Sequence, residues 1–230
     1  VPNFMVVETQ IDTSISIRGV RSGANKGFEQ SVPMNFDGIS YPRSQLARTP
    51  LVDLERVEVL RGPQPTLFGK NAIGGVVNVT SAKPTEEFEG KFSTSHESEH
   101  GEDQSLLVLS GPLSDNLLGR LTVSTREMDG WITNTKMKRL EPQRDETYIR
   151  GQLAWTDDND IDYNLKVETA DFDSLGYAME AIAPQDGYGL VFAGPIAVET
   201  TENWVRSSGE TFSQNTMDNF VFTSNIPMDN

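Results

Sequence analysis

Cysteine is absent from the chain, which excludes disulfide staples, thiolate metal sites and a cysteine nucleophile. Histidine is nearly absent, with His96 and His100 the only two. The phrase around them, "STSHESEHGED", reads as a solvated strand end and turn and not as a zinc pair. Basic residues are scarce: 19 Lys and Arg stand against 34 Asp and Glu, a net charge of −15. Phosphate neutralisation needs clustered cations, so no nucleic-acid partner is expected. No run of 18 apolar residues occurs, so no transmembrane helix is expected. The opening "VPNFMVVETQ" lacks the basic and apolar regions of a signal peptide. It begins in mid-phrase, just as "FVFTSNIPMDN" stops directly after a strand-like run, and the chain reads as an interior piece of something longer. At 230 residues, one large or two smaller domains are possible. No catalytic set, metal site or cofactor is expected.

The most conspicuous phrase present is "LRGPQPTLFGKNAIGG", from Leu60 to Gly75. Its glycines and lysine suggest a phosphate loop, which requires G-x-x-x-x-G-K-[ST]. The motif fails at both ends. Gln64 stands where the first glycine belongs, and Asn71 follows Lys70 where a hydroxyl is needed. Pro63 and Pro65 also remove two backbone donors. Gly62, Gly69, Gly74 and Gly75 are better explained by positive φ or close backbone approach.

Composition changes near Pro84. Before it lie short apolar segments at Ser14–Val20, Val32–Ile39, Glu55–Leu60 and Gly75–Thr80, with Pro63–Phe68 long enough for one helical turn. This predicts a small mixed α/β unit. After it the alternation is longer and more regular, clearest in "IDYNLKVET". There Ile161, Tyr163, Leu165 and Val167 oppose Asp162, Asn164, Lys166 and Glu168. Six strands are expected, beginning near Phe88, Ser105, Leu117, Thr147, Ile161 and Asn219. Each run is near ~10 residues, the length of a tilted bilayer-crossing strand. Soluble sandwiches alternate too, so periodicity alone does not decide. The connections favour a barrel: "PLSDN" and "DDND" are tight, whereas Asp129–Asp145 and Asp173–Met217 are long, the segregation seen in outer-membrane barrels.

Three phrases, taken together, resemble the TonB-dependent outer-membrane receptors. They are "SISIRGV" (Ser14–Val20), "FDGISYPRS" (Phe36–Ser44) and "DLERVEVLRGPQPTLFGKNAIGGVVNVTSAKP" (Asp53–Pro84). The resemblance implies an α+β plug domain over residues 1–84, its first part missing. The antiparallel strands of an incomplete 22-stranded outer-membrane barrel would follow over residues 85–230. It implies no enzyme, but active import of a bulky scarce ligand into a Gram-negative cell, most naturally a ferric siderophore. Glycan fragments, haem or cobalamin remain open as cargo, as does a surface binding or signalling role. The implied partners are the TonB energy-transducing complex, the extracellular ligand and outer-membrane lipid. In the resembling family, plug arginines pair with wall carboxylates. The matching positions are Arg18 and Arg61, with Glu58 nearby, Asn71 and the four glycines in the plug turn, and Asp162 and Glu168 as possible wall partners. Ligand contact would fall to Asn25, Lys26, Tyr41 and Arg43 at the plug tips, where positive charge and an aromatic face suit an anionic or catecholate-like chelate.

Overall fold

The computed structural model describes residues 2–8, 12–21, 29–44, 47–69, 71–158, 161–176, 205–206 and 209–227. The N-terminal unit begins with a hairpin of β1 (Phe4–Glu8) and β2 (Thr13–Ile17). There follow β3 (Met34–Phe36), β4 (Ile39–Tyr41), β5 (Leu54–Arg61), the one-turn helix α1 (Pro65–Phe68) and β6 (Gly75–Ser81). Strands β3 to β6 form a sheet in the order β4-β3-β6-β5, with β3 and β6 parallel. Its core packs Ile15, Ile17, Val32, Met34, Phe36, Val77 and Val79. The hairpin is held to this sheet by burial of the alternate residues of β2, since period-2 side chains place Ile15 and Ile17 on one face.

The phrase that imitates a phosphate loop folds as a strand end, a helical turn and a return. Pro65 opens α1, where its missing N–H costs nothing. Gly69 closes the turn at φ 83°, a left-handed value that suits glycine. Gly62 N–H then bonds Gly74 O at 3.1 Å, and Gln64 N–H bonds Ala72 O at 2.8 Å. At Gly75 the backbone passes so close that a Cβ would lie 2.3 Å from Leu60 O.

The second unit is a six-stranded antiparallel sheet of β7 (Glu89–Glu97), β8 (Glu102–Ser114), β9 (Leu117–Met128), β12 (Gln143–Thr156), β13 (Asp162–Leu175) and β15 (Phe212–Asn225). A smaller sheet joins β10 (Ile132–Asn134), β11 (Arg139–Glu141) and β14 (Val205–Arg206) beside the long-loop end. His96 and His100 fall at the β7–β8 turn, bonded to Asp103 and Glu97. Several strands start earlier than their hydrophobic pattern predicts: Glu102 against Ser105, Gln143 against Thr147, and Phe212 against Asn219. Ladder hydrogen bonds need no apolar side chain, so the strands run on into polar ends where the alternation has faded.

Register makes this sheet inside-out. One face carries the row Leu109–Leu121–Gly151–Val167–Phe220, and two residues along, Gly111–Gly119–Leu153–Leu165–Phe222. These side chains point away from the N-terminal unit, with Val167 48% and Phe220 71% exposed. Trp155 and Tyr163 stack at 5.1 Å beside Phe222 at the tight-turn end, as an aromatic girdle would. The opposite face carries Thr122–Arg150–Glu168 and Arg120–Gln152–Lys166, all turned toward the N-terminal unit. Arg150, Thr122 and Glu168 are buried there. A water-soluble sheet buries its apolar face; this one buries its charges.

Candidate functional site at the seam between the two units

Two tiers of ion pairs join the units, separated along the strands by four to six residues, about 13–20 Å. The tier near the tight turns centres on Asp53, the residue just before β5. Its carboxylate accepts Arg120 Nη2 at 2.5 Å, Arg120 Nε at 2.8 Å, Arg150 Nη2 at 2.7 Å and Thr122 Oγ1 at 2.5 Å. Arg150 Nη2 also donates to the Asp53 carbonyl at 2.7 Å. Burial disfavours the ionised carboxyl, but the hydrogen bonds from Arg120 and Thr122 and the charges of Arg120 and Arg150 outweigh it. The pKa of Asp53 is held down to about 2.

Asp37 repeats the arrangement from the β3–β4 turn. It accepts Lys166 Nζ at 2.5 Å, and Ser81 N–H and Oγ each at 2.8 Å. Burial again opposes ionisation, and the bonds from Lys166 and Ser81 again prevail, leaving its carboxyl below the usual range. Lys166 also lies 3.1 Å from Glu168 and 4.8 Å above the Phe36 ring. Both plug-side carboxylates sit at positive φ, 49° for Asp37 and 51° for Asp53. Aspartate tolerates that left-handed region better than most residues, and there it projects the side chain across the gap.

The tier near the long loops has mixed polarity. Arg48 Nη2 bonds Glu146 Oε1 at 2.9 Å, and its guanidinium lies 4.7 Å over Phe172. From the hairpin, Glu8 meets Arg144 at 3.2 Å and Arg126 at 3.4 Å. Val52 and Met217 pack on the Tyr148–Ala170–Phe172 cluster between the tiers. A cavity of about 230 Å³, lined by Val6, Glu8, Arg48, Arg126, Glu146 and Tyr148 among others, remains beside them.

Such a seam stabilises weakly in net terms, since desolvation offsets attraction. It nevertheless fixes register, and its partners can exchange with water if the units separate. Most of its donors and acceptors among the described residues are spent on one another. It holds two bodies together.

Sequence similarity decides what those bodies are. Residues 4–76 match the family model described as "TonB-dependent Receptor Plug Domain". The chain carries the plug domain of the TonB-dependent receptors. The pesticin receptor of Yersinia pestis is 35% identical over 123 residues, covering 53% of this chain and 18% of that protein. The iron-regulated outer membrane virulence protein of Vibrio cholerae is 34% identical over 142 residues, covering 56% and 21%. The ferrienterobactin receptor of Escherichia coli K12 is 26% identical over 208 residues, covering 87% and 27%. The chain thus spans about a fifth to a quarter of the length of these relatives. In fold it is similar to the ferric yersiniabactin uptake receptor of Yersinia pestis, with a TM-score of 0.82 at 20% identity over 100% of this chain and 35% of that one. The Vibrio cholerae relative is named as an outer membrane protein, and the Yersinia and Escherichia coli relatives as receptors.

The residues singled out from sequence are dispersed in the structure. Arg18 and Arg61 are exposed, and neither forms an ion pair among the described residues. Glu58 is exposed and lies 3.5 Å from Arg56 on its own strand. Asn71 donates to Glu29. Gly62 takes φ 88°, and a Cβ on Gly74 would meet Val20 and Val32. Asn25 and Lys26 lie outside the described residues. Arg43 is exposed. Tyr41 instead turns to the wall: burial, then the Glu168 charge, raises its hydroxyl pKa against the opposing bond to Asn219. Of the two wall carboxylates, Glu168 is taken by Lys166 and Tyr148, and Asp162 by Thr156. The polarity expected from the resemblance, plug arginine to wall carboxylate, is met by Arg48 with Glu146. Asp37, Asp53 and Glu8 reverse it.

Proposed function

We propose that this chain supplies the plug (residues 1–84) and the first wall strands (residues 85–230) of a receptor that imports a ferric siderophore across the outer membrane. In this reading the wall continues into a closed 22-stranded barrel, and the TonB complex supplies the energy that displaces the plug. The observation that carries the reading is the buried charged face of the sheet. Arg120, Arg150, Lys166 and Glu168 line the inside of a wall whose other side is apolar, and a separate folded unit stops them from lining an open pore. A barrel wide enough for a bulky chelate leaks unless so filled. Relatives named for ferrienterobactin and ferrioxamine support an iron complex as the cargo class.

Deletion of the gene is expected to abolish growth on at least one ferric siderophore under iron limitation, with the same loss when TonB is removed. Rescue only by a glycan, haem or cobalamin would replace the cargo, and TonB-independent uptake would overturn the mechanism. Arg18, Glu58 and Arg61, exposed here, are assigned to contacts with later wall strands, and Arg43 to the ligand. Arg61→Ala then raises leakage of a bulky antibiotic or dye through the receptor; unchanged leakage removes that assignment.

A further inference from the structure

We propose that Arg120, Arg150 and Thr122 form a carboxylate-binding site, occupied by the protein's own Asp53 while the plug is seated and available to the carboxylate of a passing solute once Asp53 withdraws. The inference rests on the reading of the two units as plug and wall.

All the donors that hold the Asp53 carboxylate come from the wall. Arg120 and Thr122 lie on β9 and Arg150 on its neighbour β12, fixed by a continuous ladder. Their side chains are also restrained from the wall: Arg120 lies 3.2 Å from Glu89, and Arg150 sits against the Tyr148 ring and hydroxyl. Withdrawing the plug therefore removes the occupant and leaves the site standing.

The site also has capacity that Asp53 does not use. Arg150 is fully buried, yet its Nε finds no hydrogen-bond partner. A buried guanidinium donor left idle is unusual, and a larger oxyanion than an aspartate could engage it. Charge points the same way. Around the site the wall contributes three cations, Arg120, Arg150 and Lys166, against Glu89 and Glu168. Seating the plug adds Asp37 and Asp53. Three positive against four negative charges give −1 with the plug in place; without those two the balance is +1. Plug movement thus turns a neutralised patch into an anion seat, and charge-assisted bonds are stronger than neutral ones. Asp53 and the solute's carboxylate compete for the same donors, so occupancy by the solute also delays the plug's return.

Asp53→Gly tests the site directly in the complete purified receptor. Glycine suits φ 51° at this position, so the carboxylate is removed without backbone strain. Acetate is the probe; its binding, followed by titration calorimetry, and urea-induced plug release, followed by protease accessibility, are the readouts. In Asp53→Gly the seated receptor should bind acetate at least about tenfold more tightly than seated wild type does, on the scale of one charge-assisted hydrogen bond. Chloride at equal ionic strength should show no such gain, and Arg150→Gln in the same background should abolish it. Should the Asp53→Gly plug fail to seat, wild type gives the second measurement. There acetate binds only the released form, and must lower the midpoint below that in chloride, an effect lost in Arg150→Gln. Equal responses to acetate and chloride, or a response surviving Arg150→Gln, overturn the proposal. Binding is read without iron or TonB, so its failure and the failure of import are separate results.

Discussion

Replacing Asp53 with asparagine removes one negative charge and almost no volume. The side chain is only 7% exposed, and Arg120 and Arg150 are 8% and 0% exposed. The depression of its pKa from 3.8 to about 2 is worth at most about 2 kcal/mol of seating at neutral pH once solvent screening is allowed for. The larger effect is on the partners, because stripping one member from a buried pair costs about 3–5 kcal/mol. Arg120 keeps Glu89 and the Lys83 carbonyl, and Arg150 keeps the Asp53 carbonyl. The carboxamide oxygen of the replacement would also still accept one bond. A net loss of about 2–4 kcal/mol in plug seating is expected. The assay is urea-induced plug release in the complete receptor at pH 7, with Arg120→Gln closing a double-mutant cycle whose coupling should exceed about 1 kcal/mol. The sign with pH also follows. A carboxyl whose pKa is lowered by seating stabilises above its free value near 4, and that contribution disappears as pH falls toward 2. Wild type should therefore release its plug more easily at pH 3 than at pH 7, and Asp53→Asn should flatten that difference. A midpoint unchanged by Asp53→Asn, with coupling below about 0.5 kcal/mol, would refute the idea that this tier holds the plug.

Two further outcomes are expected. Arg48→Ala removes both the Glu146 pair and the stack on Phe172, and should lower plug-release stability by about 3 kcal/mol, with Arg48→Lys recovering part; the same urea assay reads it. Val167→Arg places a charge on the apolar face of β13 and should destabilise the wall in lipid vesicles by about 2–4 kcal/mol, whereas an unchanged unfolding midpoint would mean that this face does not meet lipid.

Local pattern carried much of the fold. The alternation of Ile161–Glu168 needs no tertiary information, because one face must be apolar and the other wet whatever the strand pairs with. The prolines and glycines of Leu60–Gly75 likewise constrain their own turn. The seam was far less visible. Asp53 opens the very phrase that carries the family resemblance, yet its partners lie 67 and 97 residues away, beyond any local spacing rule. The resemblance points to arginines of the plug, while the wall's own alternation already sets Arg120, Arg150 and Lys166 on the inward face. Three inward cations demand carboxylates from whatever packs on that face. That demand was the available signal, and Asp37 and Asp53 answer it.

The spacing of the two tiers has a mechanical consequence. Ion pairs are short-ranged, so each breaks within a few ångströms of travel, whereas the tiers stand about 13–20 Å apart along the strands. A pull applied at one end of the plug can load one tier, part it, and only then load the other. The same total work is spread over a longer path, and the peak force is smaller than for a single flat contact of equal strength. The seam would tear like perforated paper rather than snap like glue.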